Sequence, residues 1–188
     1  MKGQLTMGNP PRNTHFRAVD IALVAVFSAL WIVVSLALGP LSFQLTGLPI
    51  LHDFGVFFTL LATAWITGRF GTSILVGIIG TIIAIPLGAP LLILGFIGSA
   101  IVFDIMLILS RHKVATSIKN LAVAALATMF SAYVGGSLIG TLFMSNGVAW
   151  GLTVWGGWHL VGGVVAAAVT LPILAGLEKA NVRKLPGK

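Results

Sequence analysis

Ile21-Ala-Leu-Val-Ala-Val-Phe-Ser-Ala-Leu-Trp-Ile-Val-Val-Ser-Leu-Ala-Leu38 runs for 18 residues without a charge. A run of that length and polarity reads as a helix that crosses a bilayer. It is longer than the apolar part of a usual signal peptide. Its only small-residue cleavage text, Ala37-Leu38-Gly39, runs straight into Pro40. The run is therefore expected to stay in the protein as helix 1. Similar apolar stretches follow to the far end of the chain.

Composition agrees with that reading. Of the 188 residues 57% are hydrophobic and 8% charged, against about 25% charged in a typical soluble domain. The chain has no cysteine, which excludes disulfides and thiolate metal sites. The net charge of +7 is spread singly or in small groups between apolar runs. There is no basic stripe and no nucleic-acid motif, so membrane orientation accounts for the charge and a nucleic-acid partner is not expected.

The expected fold class is an all-α membrane protein, a six-helix bundle with both termini cytosolic. Residues 1–16 form a cytosolic tail and 17–178 the transmembrane domain. A basic tail, 179–188, follows. The helices are placed at about 17–38, 52–67, 71–86, 90–109, 120–143 and 149–177. Helices 2 and 3 are near or below the usual spanning length of about 17–25 residues. Residues 39–51, GPLSFQLTGLPIL, hold two prolines and two glycines among apolar residues and read as an ordered loop at the outer interface.

Charge placement sets the topology. Lys2, Arg12 and Arg17 precede helix 1, and Arg69 lies between helices 2 and 3. Arg111, Lys113 and Lys119 lie between helices 4 and 5, and Lys179, Arg183, Lys184 and Lys188 follow helix 6. Those are all 11 Lys and Arg residues of the chain, and the three opposite loops hold none. The positive-inside rule then places both ends in the cytosol of a cell-membrane protein.

Small residues mark helix contacts. Ala18, Ala22, Ala25 and Ala29 are spaced four, three and four apart and share one face of helix 1. That stripe suits either packing within the bundle or docking of a partner helix. Gly136-x-x-x-Gly140, Gly162-x-x-x-Ala166 and Gly163-x-x-x-Ala167 read as internal packing.

Polar groups within apolar segments are costly and need a reason. Asp20 is three residues from Arg17 and suits a local ion pair. Asp53, beside His52 at the start of helix 2, suits either a helix cap or a ligand contact. Asp104 in helix 4 suits a structural partner such as Arg111, or a ligand. Trp155 and His159 share a face of helix 6 and combine stacking area with a hydrogen-bonding ring, the chemistry a flat heterocycle needs. An interfacial aromatic belt is the alternative for the tryptophans and accounts well for Trp150. Gln44, Phe57, Tyr133 and Asn146 complete the candidate ligand set. No phosphate-binding loop is present, so the chain does not itself harness ATP. No metal-ligand run is present, and no cofactor is expected. Ser137 and His159 raise an intramembrane hydrolase or assembly factor as the alternative function.

The length, the six-helix plan, Ala25-x-x-x-Ala29 within ALVAVFSALW, and Leu51-His52-Asp53-Phe54 leading to Gly68-Arg69-Phe70-Gly71 resemble the S components of energy-coupling factor (ECF) vitamin transporters. The resemblance covers about residues 17–178. It implies a non-enzymatic subunit that captures a vitamin or precursor from outside. Loop 1, with Phe43, Gln44 and Leu48-Pro49, would act as a lid. The alanine stripe would dock on a T subunit carrying two ATPases. The text running from Asp104 into Ser110-Arg111-His112-Lys113 is similar to the thiamin-precursor branch, and the loop and helix 2 to the riboflavin branch. The resemblance therefore implies a thiamin-related pyrimidine or a riboflavin-like heterocycle as ligand.

Overall fold

A computed structural model describes residues 16–182. Most of the expected tails, 1–15 and 183–188, lie outside the described residues. Among the described residues there are six helices: α1 (Ala18–Thr46), α2 (Ile50–Thr67), α3 (Thr72–Ala84), α4 (Leu91–Ser110), α5 (Ile118–Leu142) and α6 (Val148–Lys179). Among the described residues there is no strand. Five helices are long and apolar enough to cross a bilayer, and α3 is a shorter apolar helix of 13 residues. In lipid the backbone must satisfy its own hydrogen bonds, so uncharged runs of this kind become helices. This is a multi-pass helical membrane protein.

Helix α1 corrects one expectation. It does not stop at Leu38 but continues through Pro40 to Thr46, so most of the expected outer loop is helical. A proline interior to a membrane helix is tolerated where neighbouring groups satisfy the freed backbone. The α1–α2 connection shrinks to Gly47, Leu48 and Pro49. Gly47 ends α1 at φ 68°, with its N–H on the Phe43 carbonyl at 2.9 Å, a left-handed cap that glycine adopts without strain. Ser42 closes the turn. Its Oγ donates to the Leu48 carbonyl at 2.6 Å and accepts from the Leu51 N–H at 2.9 Å.

Around the bundle the order of packed neighbours is α1, α3, α4, α5, α6, α2, closing back on α1. Helix α2 is pressed furthest inward, with 13 of its 18 residues buried. Phe57, Leu60, Leu61, Trp31, Phe96 and Phe103 fill the core. The glycine seams pack internally as expected. A Cβ on Gly136 would sit 2.5 Å from His159 Cβ, and one on Gly140 2.6 Å from Gly151 Cα. Helices α5 and α6 therefore approach at backbone distance.

All described Lys and Arg residues gather at one end, where buried polar groups fasten the helices and turns. Asp20 lies 3.1 Å from Arg69 and 3.4 Å from Arg17, which joins α1 to the α2–α3 turn. Asp104 Oδ2 accepts the Gly71 N–H at 2.6 Å, and Trp65 Nε1 donates to Glu178 at 2.7 Å. His112 Nε2 lies 3.2 Å from both the Asp104 carbonyl and its Oδ1. Arg111 and His112 end the helix at φ 52° and 57°, with their N–H groups on the Ile108 and Leu107 carbonyls, each at 2.9 Å, in a region costly for residues with a Cβ. The opposite end holds the α1–α2, α3–α4 and α5–α6 connections and carries no described Lys or Arg.

Candidate functional site

At the uncharged end a cavity of about 220 Å³ opens between α1, α2 and the α3–α4 connection. Ser35, Gly39, Pro40 and Phe43 of α1 form one wall, and Gly88 to Pro90 with Ile93 form the other. His52, the third residue of α2, supplies a ring between them. The walls are almost wholly apolar. The exceptions are His52 and the buried hydroxyl of Ser35, which has no hydrogen-bond partner among the described residues. An apolar cavity with a few directed polar groups is the usual form of a small-molecule site. Pro40 bends no loop over it; the continuing turns of α1 bring Phe43 to its rim.

A chain of rings leads inward from the cavity. His52 meets Phe96 edge-on at 5.0 Å, and Phe96 meets His159 at 5.5 Å. Trp155 packs edge-on against His159 at 5.7 Å. Trp155 itself stacks nearly parallel to Phe43 at 6.3 Å and to Trp150 at 5.7 Å. A π-helical turn over Gly151–Trp155 sits where α6 meets α5 backbone to backbone. Such turns are frequent at functional sites.

Behind the rings, His159 Nδ1 lies 2.8 Å from Asp53 Oδ1, and both side chains are buried. With Asp53 as a carboxylate and His159 as a neutral ring, Nδ1 donates across the pair and Nε2 is left as an acceptor. Nε2, Asp53 Oδ2 and Trp155 Nε1 have no partner among the described residues. Buried polar atoms are rarely left unpaired, and each needs water or a ligand. Gly162 makes the pair possible, since a Cβ there would collide with the Asp53 carboxyl.

The expected ligand set is therefore divided. Trp155, His159 and Asp53 come together, but Asp53 bonds across to α6 and makes no helix cap. Asp104 belongs to the basic end and holds the Gly71 turn; it reaches His112, not Arg111. From Asp53 to the end of α2 at Thr67 is about 21 Å at ~1.5 Å per residue, so the two carboxylates cannot share a ligand. Phe57 is buried in the core. Gln44 and Asn146 are exposed, on the last turn of α1 and in the α5–α6 turn. Tyr133 is half-buried, facing Gly156 beside Ser137. Sequence reasoning missed Ser35 and the Gly88–Pro90 wall, for which an uncharged serine and a proline-glycine turn give no chemical signal.

The alanine stripe lies on the outer face of α1. Ala18, Ala22, Ala25 and Ala29 are all exposed, while Val24, Phe27, Ser28 and Trp31 on the other side of α1 are buried. The stripe does not pack within the bundle. Among the described residues no cluster of three or more potential metal ligands occurs. No protein-family profile, curated protein or solved structure matches the chain.

Proposed function

We propose that the protein is the substrate-capture subunit of an ATP-driven uptake system, as its resemblance to ECF S components implies. In this reading the uncharged end faces outward and the basic end the cytosol. A small heterocycle enters the cavity beside Phe43 and His52. Phe43 leaves Trp155, and the ligand reaches the ring chain and the unpaired acceptors of His159 and Asp53. Those acceptors favour a ligand that brings N–H donors. The observation that carries the reading is the apolar cavity lying next to a buried Asp–His pair with unsatisfied atoms. Its volume also bears on the choice of ligand. About 220 Å³ is below the ~300–1,000 Å³ of sites for drug-sized molecules, which favours a thiamin-related pyrimidine over a flavin.

The exposed alanine stripe supports docking of a T subunit with its two ATPases through α1. Small side chains let a second helix come close in lipid. Ala25→Leu with Ala29→Leu should abolish uptake in cells and leave ligand affinity of the isolated protein intact; equal loss of both would remove the docking role. A second reading, an intramembrane hydrolase, draws on the Asp53–His159 pair and on Ser137, whose Oγ is buried and unpaired. Ser137 makes no hydrogen bond to His159 in this structure. Covalent labelling of Ser137 by a serine-directed phosphonate would favour that reading over capture.

A further inference from the structure

A second concavity, unconnected with the capture reading, lies on the outside of the bundle between α5 and α6. It has a volume of about 470 Å³ and an almost wholly apolar lining. Leu121, Ala125 and Met129 form one bank, and Val164, Ala168 and Pro172 the other. The floor is low because α6 presents alanines there. Pro172 also has no N–H to return to the carbonyl of Ala168, which loosens the helix at that level.

Two dimensions point to one occupant. On α5 the groove runs from Ile118 to Met129, about 16 Å at ~1.5 Å per residue. Half of a hydrocarbon core of ~30 Å is about 15 Å, so the groove has the length of one leaflet. It opens at the basic end. Lys119 follows Ile118 directly, and Lys179 stands one turn beyond Ala175; both are exposed. The nearby carboxylate, Glu178, is engaged by Trp65. An acyl chain in the groove thus places its headgroup beside two lysines.

We infer that the α5–α6 groove is a binding site for an anionic phospholipid of the leaflet at the basic end. The apolar length takes one acyl chain, and Lys119 and Lys179 take the phosphate. Each lysine near an anionic surface contributes roughly fivefold in affinity, so the pair gives about 25-fold preference over a zwitterionic lipid of the same chains. A transmembrane helix of another subunit or a second copy of this chain is the competing occupant. Either would be held by the apolar bank and would be indifferent to lipid headgroup.

The test is native mass spectrometry of the full chain in detergent, titrated with phosphatidylglycerol and phosphatidylcholine of identical acyl chains. One phosphatidylglycerol should be retained in strong preference. Lys119→Gln with Lys179→Gln should remove most of that preference. Ala168→Phe, at an exposed position that fills the groove, should reduce retention of both lipids without unfolding the protein, as judged by its thermal transition. Equal retention of the two lipids by the unaltered protein would overturn the proposal. So would a double-lysine variant that keeps the full preference, or a groove occupied by a second copy, seen as a dimer that Ala168→Phe dissociates.

Discussion

Removing His159 isolates the contribution of the buried pair. In His159→Ala the Asp53 carboxyl loses its 2.8 Å bond on Oδ1, and Oδ2 has no partner to compensate. Breaking one side of a buried charged pair costs about 3–5 kcal/mol. Hydrogen bonds between membrane helices are much weaker, averaging ~0.6 and reaching ~1.7 kcal/mol, because the unfolded chain in lipid also finds partners. The two magnitudes separate a charged pair from a neutral one. A double-mutant cycle of His159→Ala, Asp53→Ala and the double variant, read by reversible detergent unfolding, reports the coupling directly. Each single change should destabilise, and the double change by less than the sum. Coupling of about 3 kcal/mol marks an ion pair, and about 1 kcal/mol a neutral hydrogen bond. Additivity within ~0.5 kcal/mol would refute the contact itself.

Three further outcomes follow from the packing. Asp20→Ala takes the shared carboxylate from two partly exposed guanidiniums and should destabilise by about 1.5–3 kcal/mol, whereas Arg17→Ala, one-third exposed, should cost less than ~1 kcal/mol in the same unfolding assay. Gly136→Leu forces a side chain into His159 and should cost about 1–3 kcal/mol, while Ala25→Leu on the exposed stripe should change stability by less than ~0.5 kcal/mol. Phe43→Ala removes the ring stacked on Trp155, an interaction of about 0.5–1.5 kcal/mol, and should lower stability by that amount in the same unfolding assay.

The helical plan was legible because one physical rule governs it. Apolar runs without charges become helices in lipid, and Lys and Arg mark one set of ends. The α1 boundary was not legible, because Pro40 and Gly39 signal a break in water but not in a membrane helix whose next turns are fastened by Ser42. Trp155 and His159 were readable as a pair from their spacing of four. Asp53 gave no sign of its partner, since 106 residues separate it from His159 and only the close approach at Gly162 joins them. Asp104 misled for the same reason. A carboxylate in an apolar helix announces a need for a partner, and nothing in its neighbours says whether that partner is a ligand or the Gly71 backbone.

Capture of a small heterocycle at the uncharged end is a proposal that one experiment can decide. The most direct measurement is mass spectrometry of the small molecules that the protein retains through purification in mild detergent. A single N–H-bearing heterocycle, close to equimolar with the protein, is expected, and it should be lost in His52→Ala with Phe43→Ala. Purified protein that retains no small molecule, and binds neither pyrimidines nor flavins when they are added, would contradict it.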